Sequence, residues 1–143
     1  MNLASRTRIL LDWPAVLMAL SSGTSTEMGA KAVDELEPCR GLAEIELWST
    51  AISEVRSLLE AATDLNISRV FNIEPLAIRS QKGETLDAAE LQRVGRSLAG
   101  LRDVAKTLDN DELPVLSGLA AGIEVDLILL MDLEQAFDPQ GDL

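Results

Sequence analysis

The residues able to do chemistry in this chain are few in kind. Arg93, Arg96, Arg102 and Lys106 lie on one stretch of helical periodicity, with Arg79 and Lys82 just before it. Clustered cations of this sort are what a phosphate backbone requires. They are also what an ordinary solvated helix face looks like, and no aromatic residues are interleaved with them for base stacking. These four are the candidate nucleic-acid contacts, an acidic neighbouring domain being the other partner they would suit. Carboxylates are plentiful, 24 Asp and Glu against 12 Lys and Arg, but nearly all fall at helix-surface spacing. The chain has no histidine, which removes Ser-His-Asp triads, Cys-His dyads, His-ligated zinc and an imidazole general base. Gly-x-x-x-x-Gly-Lys-Ser/Thr is absent too, so no phosphate-cradling P-loop lies here. Cys39, the lone cysteine, cannot form an internal disulfide; it points to a reducing compartment and is expected to be a small buried or half-buried residue. No catalytic, cofactor-binding or metal-ligating residue is assigned.

Charge is distributed unevenly. Residues 1–64 hold five basic and ten acidic residues, 65–107 seven and five, and 108–143 none and nine. The overall net charge of −12 opposes binding to duplex DNA. Arg6 and Arg8 precede an apolar stretch as in a signal peptide, but Asp12 and Pro14 interrupt it in the manner of a helix entrance. No apolar run approaches the roughly 20 residues needed to span a bilayer. A cytoplasmic protein without membrane contact is expected.

The elements that must position these residues are all helical. Length and composition, 143 residues with 47% hydrophobic and 25% charged, suit one folded domain over 1–143. Pro14 opens a first helix, and Thr24 or Thr26 caps a second that runs to Pro38. Ile45, Trp48, Ile52, Val55, Leu59 and Ala62 recur at alternating spacings of three and four, and Leu91, Val94, Leu98, Leu101, Ala105 and Leu108 repeat that rhythm. These are two long helices packed on one another or through one core. A charge placed at Ile52 or Val94 should then unfold the domain, while Glu54, on the outer face, should tolerate alanine. Asp87 caps the second long helix, with Glu90 at its third position and Leu86 and Leu91 at hydrophobic-staple spacing.

Between the two, Asn72-Ile73-Glu74-Pro75 starts a short helix that Gly83 closes, and Leu65 to Phe71 reads as extended linker. Asp111-Glu112-Leu113-Pro114 announces another short helix, broken near Gly118 to Gly122. The last runs from about Ile123 to Phe137 and stops at Asp138-Pro139-Gln140-Gly141. Its Ile123, Leu127, Leu130, Met131 and Phe137 make one apolar face, and Ile128, Leu129 and Leu133 carry apolarity beyond it. These last three are the candidate self-association residues, serving a two-fold dimer. The fold class is all-α, a bundle of five to seven helices with two long heptad-patterned members.

Leu11-Asp12-Trp13-Pro14-Ala15-Val16-Leu17, then Thr24, Gly29 and a helix ending at Pro38, resembles the opening of the bacterial MutS proteins of the second type, the branch lacking mismatch-reading domains. The family's "LEEIE" helix start is similar to Leu42-Ala43-Glu44-Ile45-Glu46. Its "IRxxxPLLxRAxKGGxLxxxEL" resembles Arg69, Pro75-Leu76, Arg79, Lys82-Gly83, Thr85-Leu86 and Glu90-Leu91. Its "TLxxLRxVxxxL" resembles Ser97-Leu98, Leu101-Arg102-Asp103-Val104 and Leu108, and its "IExAFDxxGxL" resembles Leu133 to Leu143. Cys39-Arg40-Gly41 replaces the family's better cap, and Gly83-Glu84 its glycine pair.

The resemblance implies the N-terminal part of the core or lever region, often called domain III. There it would be a non-catalytic scaffold joining a DNA clamp to a C-terminal ATPase that carries ATP, Mg and the dimer contacts. Family members are linked to DNA binding, restraint of recombination and, in some lineages, ribosome rescue, and many carry a C-terminal Smr nuclease domain. The partners so implied are the remainder of the same polypeptide, DNA or ribosome through the intact protein, and a second copy in a homodimer. The alternative is a free-standing acidic helical adaptor that binds a basic partner protein or a helix groove. A P-loop encoded downstream would separate the two.

Overall fold

The structure, a computed structural model, describes residues 12–137. Arg6, Arg8, the Leu11 start of the first motif, and the helix stop and final motif at 138–143 lie outside the described residues. The chain divides into two compact units, Met1–Pro38 and Cys39–Leu143.

In the first unit, α1 (Trp13–Ser22) and α2 (Glu27–Asp34) form a helical hairpin. Pro14 sits in the first turn of α1, where its missing N–H costs nothing. Thr26 is the cap of α2, its hydroxyl accepting from the Gly29 N–H at 3.0 Å, while the Thr24 hydroxyl donates back to the Ser21 carbonyl at 2.8 Å.

The second unit holds α3 (Leu42–Glu60), a 3-10 turn (Ile67–Arg69), α4 (Glu74–Gln81), α5 (Ala88–Leu108), α6 (Pro114–Ala120) and α7 (Leu127–Ala136). All regular structure among the described residues is helical, seven α-helices with no strand, as the periodicity predicts. Gly83, at φ +80°, closes α4 in the left-handed region that favours glycine, and the Glu84 N–H reaches back to the Arg79 carbonyl at 3.1 Å. Asp87 and Glu90 form the expected reciprocal capping box of α5. The Cys39-Arg40-Gly41 entry to α3 lacks a side-chain cap; instead Glu44 accepts from the Arg40 N–H at 2.8 Å. Cys39 is exposed, not buried, because it lies in the irregular entry segment and not on a packed helix face.

The long helices do not pack against each other along their lengths. α6 contacts both, and two apolar clusters result. Ala51 and Leu58 of α3 meet Leu113 and Leu116, with Leu108 at their edge. Leu98 of α5 meets Leu130 and Leu133 of α7, with Leu91, Val94, Ile73 and Phe137 around them. Along α5 the anticipated stripe is correct: none of Leu91, Val94, Leu98, Leu101, Ala105 and Leu108 is exposed.

Along α3 the stripe is wrong. Ile45, Trp48, Ile52 and Leu59 are exposed, Ile52 at 66%, and the packed face is Ala51, Glu54 and Leu58. The residue assigned to the outside, Glu54, is only 7% exposed. Its carboxylate accepts from the Val115 N–H at 3.1 Å and the Leu116 N–H at 2.8 Å, at the start of α6. The reason is chemical: α6 begins at Leu113-Pro114 with no side-chain cap of its own, and its unsatisfied N–H groups draw in a distant acceptor.

The last helix is shorter than anticipated, beginning at Leu127 rather than near Ile123. Asp126 caps it, accepting from the Ile128 and Leu129 N–H groups at 3.0 Å each. Ile123 instead follows the turn after α6, its N–H donating to the Ala120 carbonyl at 2.9 Å.

Arg79 ties α4 to α5. Its guanidinium contacts Glu84 at 2.9 Å and pairs with Glu90. The Glu90 carboxyl is held below the usual carboxylate range, first by the Asp87 backbone N–H and then by Arg79. A carboxyl lowered in the folded state stabilises the fold above its ordinary value near 4.5, and that contribution is lost as pH falls through the lower folded value. Thermal melts between pH 7 and 3 should therefore decline less steeply for Glu90→Gln than for the wild type. Parallel declines would show that Glu90 does not contribute.

Candidate functional site

The basic residues of α5 do not share one face. Arg102 lies nine positions after Arg93, which is about half a turn round the helix. Its guanidinium is engaged by Asp103 at 3.1 Å and Glu134 at 3.4 Å. Lys106 is exposed beside a concavity of about 410 Å³ that Asp109, Ser117 and Ile123 also line.

Arg93 and Arg96 sit elsewhere, against the segment that crosses α5. That crossing depends on two small residues. Ser97 is fully buried at 0% exposure. Its hydroxyl accepts from the Phe71 N–H at 3.1 Å and donates to the Phe71 carbonyl at 3.0 Å, so both backbone groups of Phe71 are satisfied. At Gly100 a Cβ would lie 3.1 Å from Val70 Cγ2 and 3.3 Å from Arg69 Cβ, so a larger residue there would push the segment out by a few tenths of an ångström. The segment Leu65 to Phe71, expected as extended linker, instead contains the 3-10 turn Ile67–Arg69 and a buried Val70.

The crossing brings Arg69 and Phe71 to the arginines of α5. The Arg93 guanidinium stands 5.2 Å from the centroid of the Phe71 ring, a cation–π contact. Arg69, Arg96, Phe71, Ser68 and Ala99 line an open concavity of about 390 Å³. Among the described residues, no carboxylate pairs with Arg69, Arg93 or Arg96; Arg96 bonds the Gln92 amide oxygen at 2.7 Å. Sequence reading missed Arg69 and Phe71 because they come from a different segment. The buried hydroxyl of Ser97 on an otherwise apolar helix face was the available signal, since such a group must find a backbone partner.

Of the residues anticipated for self-association, Ile128 is 75% exposed and Leu129 44% exposed. Leu133 lies in the core cluster with Leu98 and Leu130. Among the described residues, no group of three or more Cys, Asp or Glu could hold a metal ion, and no helix is long and apolar enough to cross a membrane.

The features above describe an all-helical segment with a small basic concavity and with exposed apolar residues on α3 and α7. That segment is related to one stretch of much longer proteins. The chain is 30% identical over 139 residues to "Endonuclease MutS2" of Synechocystis sp., covering 95% of this chain. It is 25% identical over 139 residues to that of Symbiobacterium thermophilum, covering 96%, and 26% identical over 133 residues to that of Halalkalibacterium halodurans, covering 89%. The chain spans only 16–18% of the length of these curated relatives. No family model matches the chain. No solved structure matches it either.

Proposed function

We propose that the chain is a non-catalytic helical scaffold of a MutS-like DNA-binding ATPase, lying in its core or lever region and transmitting nucleotide state between the ATPase and the DNA clamp. The observation that carries this is the alignment of 95–96% of the chain with a single stretch of far longer "Endonuclease MutS2" proteins. The helices suit the role. α3 and α5, of 19 and 21 residues, are rods about 28 and 32 Å long. They are joined through α6, so a displacement of one is delivered to the other through a packed contact. Exposed Ile45, Trp48 and Ile52 on α3 and Leu127 and Met131 on α7 suit burial against the remainder of the polypeptide. ATP and Mg would be held by the ATPase part, DNA or ribosome would be reached through the intact protein, and exposed Ile128 and Leu129 suit a homodimer. A free-standing acidic adaptor has no comparable support, because the relatives align with a segment and not with a whole protein.

The test uses the native polypeptide that contains these residues, assayed for ATP hydrolysis with and without branched DNA. Hydrolysis stimulated by DNA is expected, and Glu54→Gln, which weakens the α3–α6 contact, should reduce the stimulation several-fold with basal hydrolysis unchanged. A polypeptide that does not bind ATP would overturn the proposal, as would stimulation indifferent to Glu54→Gln.

A further inference from the structure

We infer that the concavity beside Phe71 is a site for one nucleotide unit of a single-stranded nucleic acid, with the phosphate on Arg69 and Arg96 and the base against the Phe71 ring. It stands independently of the coupling role proposed above. Three observations converge on it. In a chain of net charge −12, Arg69, Arg93 and Arg96 have no carboxylate partner among the described residues, whereas Arg56, Arg79 and Arg102 are each paired. Arginine forks are suited to phosphate oxygens, which they bind in bidentate fashion. The concavity, at about 390 Å³, falls in the size range of small-ligand sites. Its wall supplies the phenyl ring of Phe71, which carries the Arg93 guanidinium at 5.2 Å from its centroid; unstacked bases are held on aromatic rings.

The arrangement is also built. Arg69 and Phe71 are fixed to α5 by the Ser97 hydroxyl and by the close passage over Gly100. Single-stranded nucleic acid suits the site better than duplex. A duplex presents a rigid array of phosphates and meets the acidic remainder of the surface, while a single strand offers one phosphate and one splayed base to a local cavity.

The experiment is fluorescence anisotropy of a labelled ten-nucleotide single strand, DNA and RNA in separate titrations, with the 143-residue chain. Binding in the range of about 10⁻⁵–10⁻⁴ M is expected at low salt, and weaker binding to a duplex of the same length. With two phosphate-contacting arginines, log K should fall with log salt at a slope of about −1.4, since each contact contributes roughly −0.7. The double variant Arg69→Ala/Arg96→Ala should lose at least tenfold in affinity and flatten that slope. Arg102→Ala, already neutralised by Asp103 and Glu134, should bind as wild type. Phe71→Leu, which keeps an apolar side chain at that position, should lose a few-fold in affinity at unchanged slope. Circular dichroism melts confirm that each variant is folded. Absence of binding, equal loss in Arg102→Ala, or preference for duplex would overturn the inference. So would competition by inorganic phosphate or an acidic peptide at concentrations equal to that of an unlabelled strand, which would leave a mere anion site.

Discussion

Glu54→Ala lowers stability by about 2–4 kcal/mol, the opposite of what its place among the charged residues of α3 suggests. The figure follows from two hydrogen bonds to a carboxylate, each contributing on the order of 1.5–3 kcal/mol when charge-assisted, reduced because water partly replaces the acceptor. The bonds run to Val115 and Leu116 at 3.1 and 2.8 Å, and the Leu116 bond is buried. Alanine leaves those N–H groups without a partner at the positive end of a helix, and α6 has no side-chain cap to replace it. Glu54→Gln should fall between, because its single amide oxygen is a weaker acceptor and cannot serve the Val115 and Leu116 N–H groups with two charged oxygens as glutamate does. Urea denaturation with unchanged m-value measures both. A change within about half a kcal/mol, as for an ordinary surface residue, would mean that the cap is not formed in solution.

Leu130→Ala should be at least as severe, at about 3–5 kcal/mol. Leu130 is 1% exposed and lies between Leu98 and Leu133. α7 makes its main contact with α5 through this cluster, so the cavity cannot be filled by sliding another element in. Domains of this kind are stable by roughly 5–15 kcal/mol in total, and the loss is a large part of that. Gln135→Ala, on the same helix and exposed, provides the control and should change stability by less than about half a kcal/mol. Comparable losses for the two would mean that the Leu130 cluster is not packed in solution.

The parts of this fold that were legible in the sequence are those whose causes are local. Asp87, Glu90 and Leu86 mark the start of α5 within a few residues, and Gly83 closes α4 by a conformation that few other residues adopt. The α5 stripe reads correctly because its leucines and Val94 keep to one side, although Ser97, Gly100 and Val104 beyond it are buried as well. α3 carries large apolar residues on more than one side, and the eye follows the larger ones. The packed face is instead set by Ala51, which lets α6 approach, and by Glu54, whose acceptor oxygens answer a need created 61 residues further on. Sorting carboxylates to the outside fails wherever a helix start lacks its own cap. The candidate site failed to show for a related reason. The arginines of α5 were visible as a row, but which of them act together depends on Phe71 and Arg69, brought in by Ser97 across 26 positions. No spacing within α5 encodes that.

The two apolar clusters have a consequence for cooperativity. One draws on the C-terminal end of α5 at Leu108 and the other on its N-terminal half at Leu91, Val94 and Leu98. α5 is therefore the element that both depend on, while α3 is held chiefly through α6, a helix of seven residues. Helices that short do not persist without tertiary contacts. Fraying of α6 would thus release α3 while the α5–α7 pair stayed folded, a seam along which the unit opens in stages. Under the coupling role proposed above, such a seam would act as a fuse: it would yield at the shortest helix and spare the cluster on which the arginine-lined surface is built.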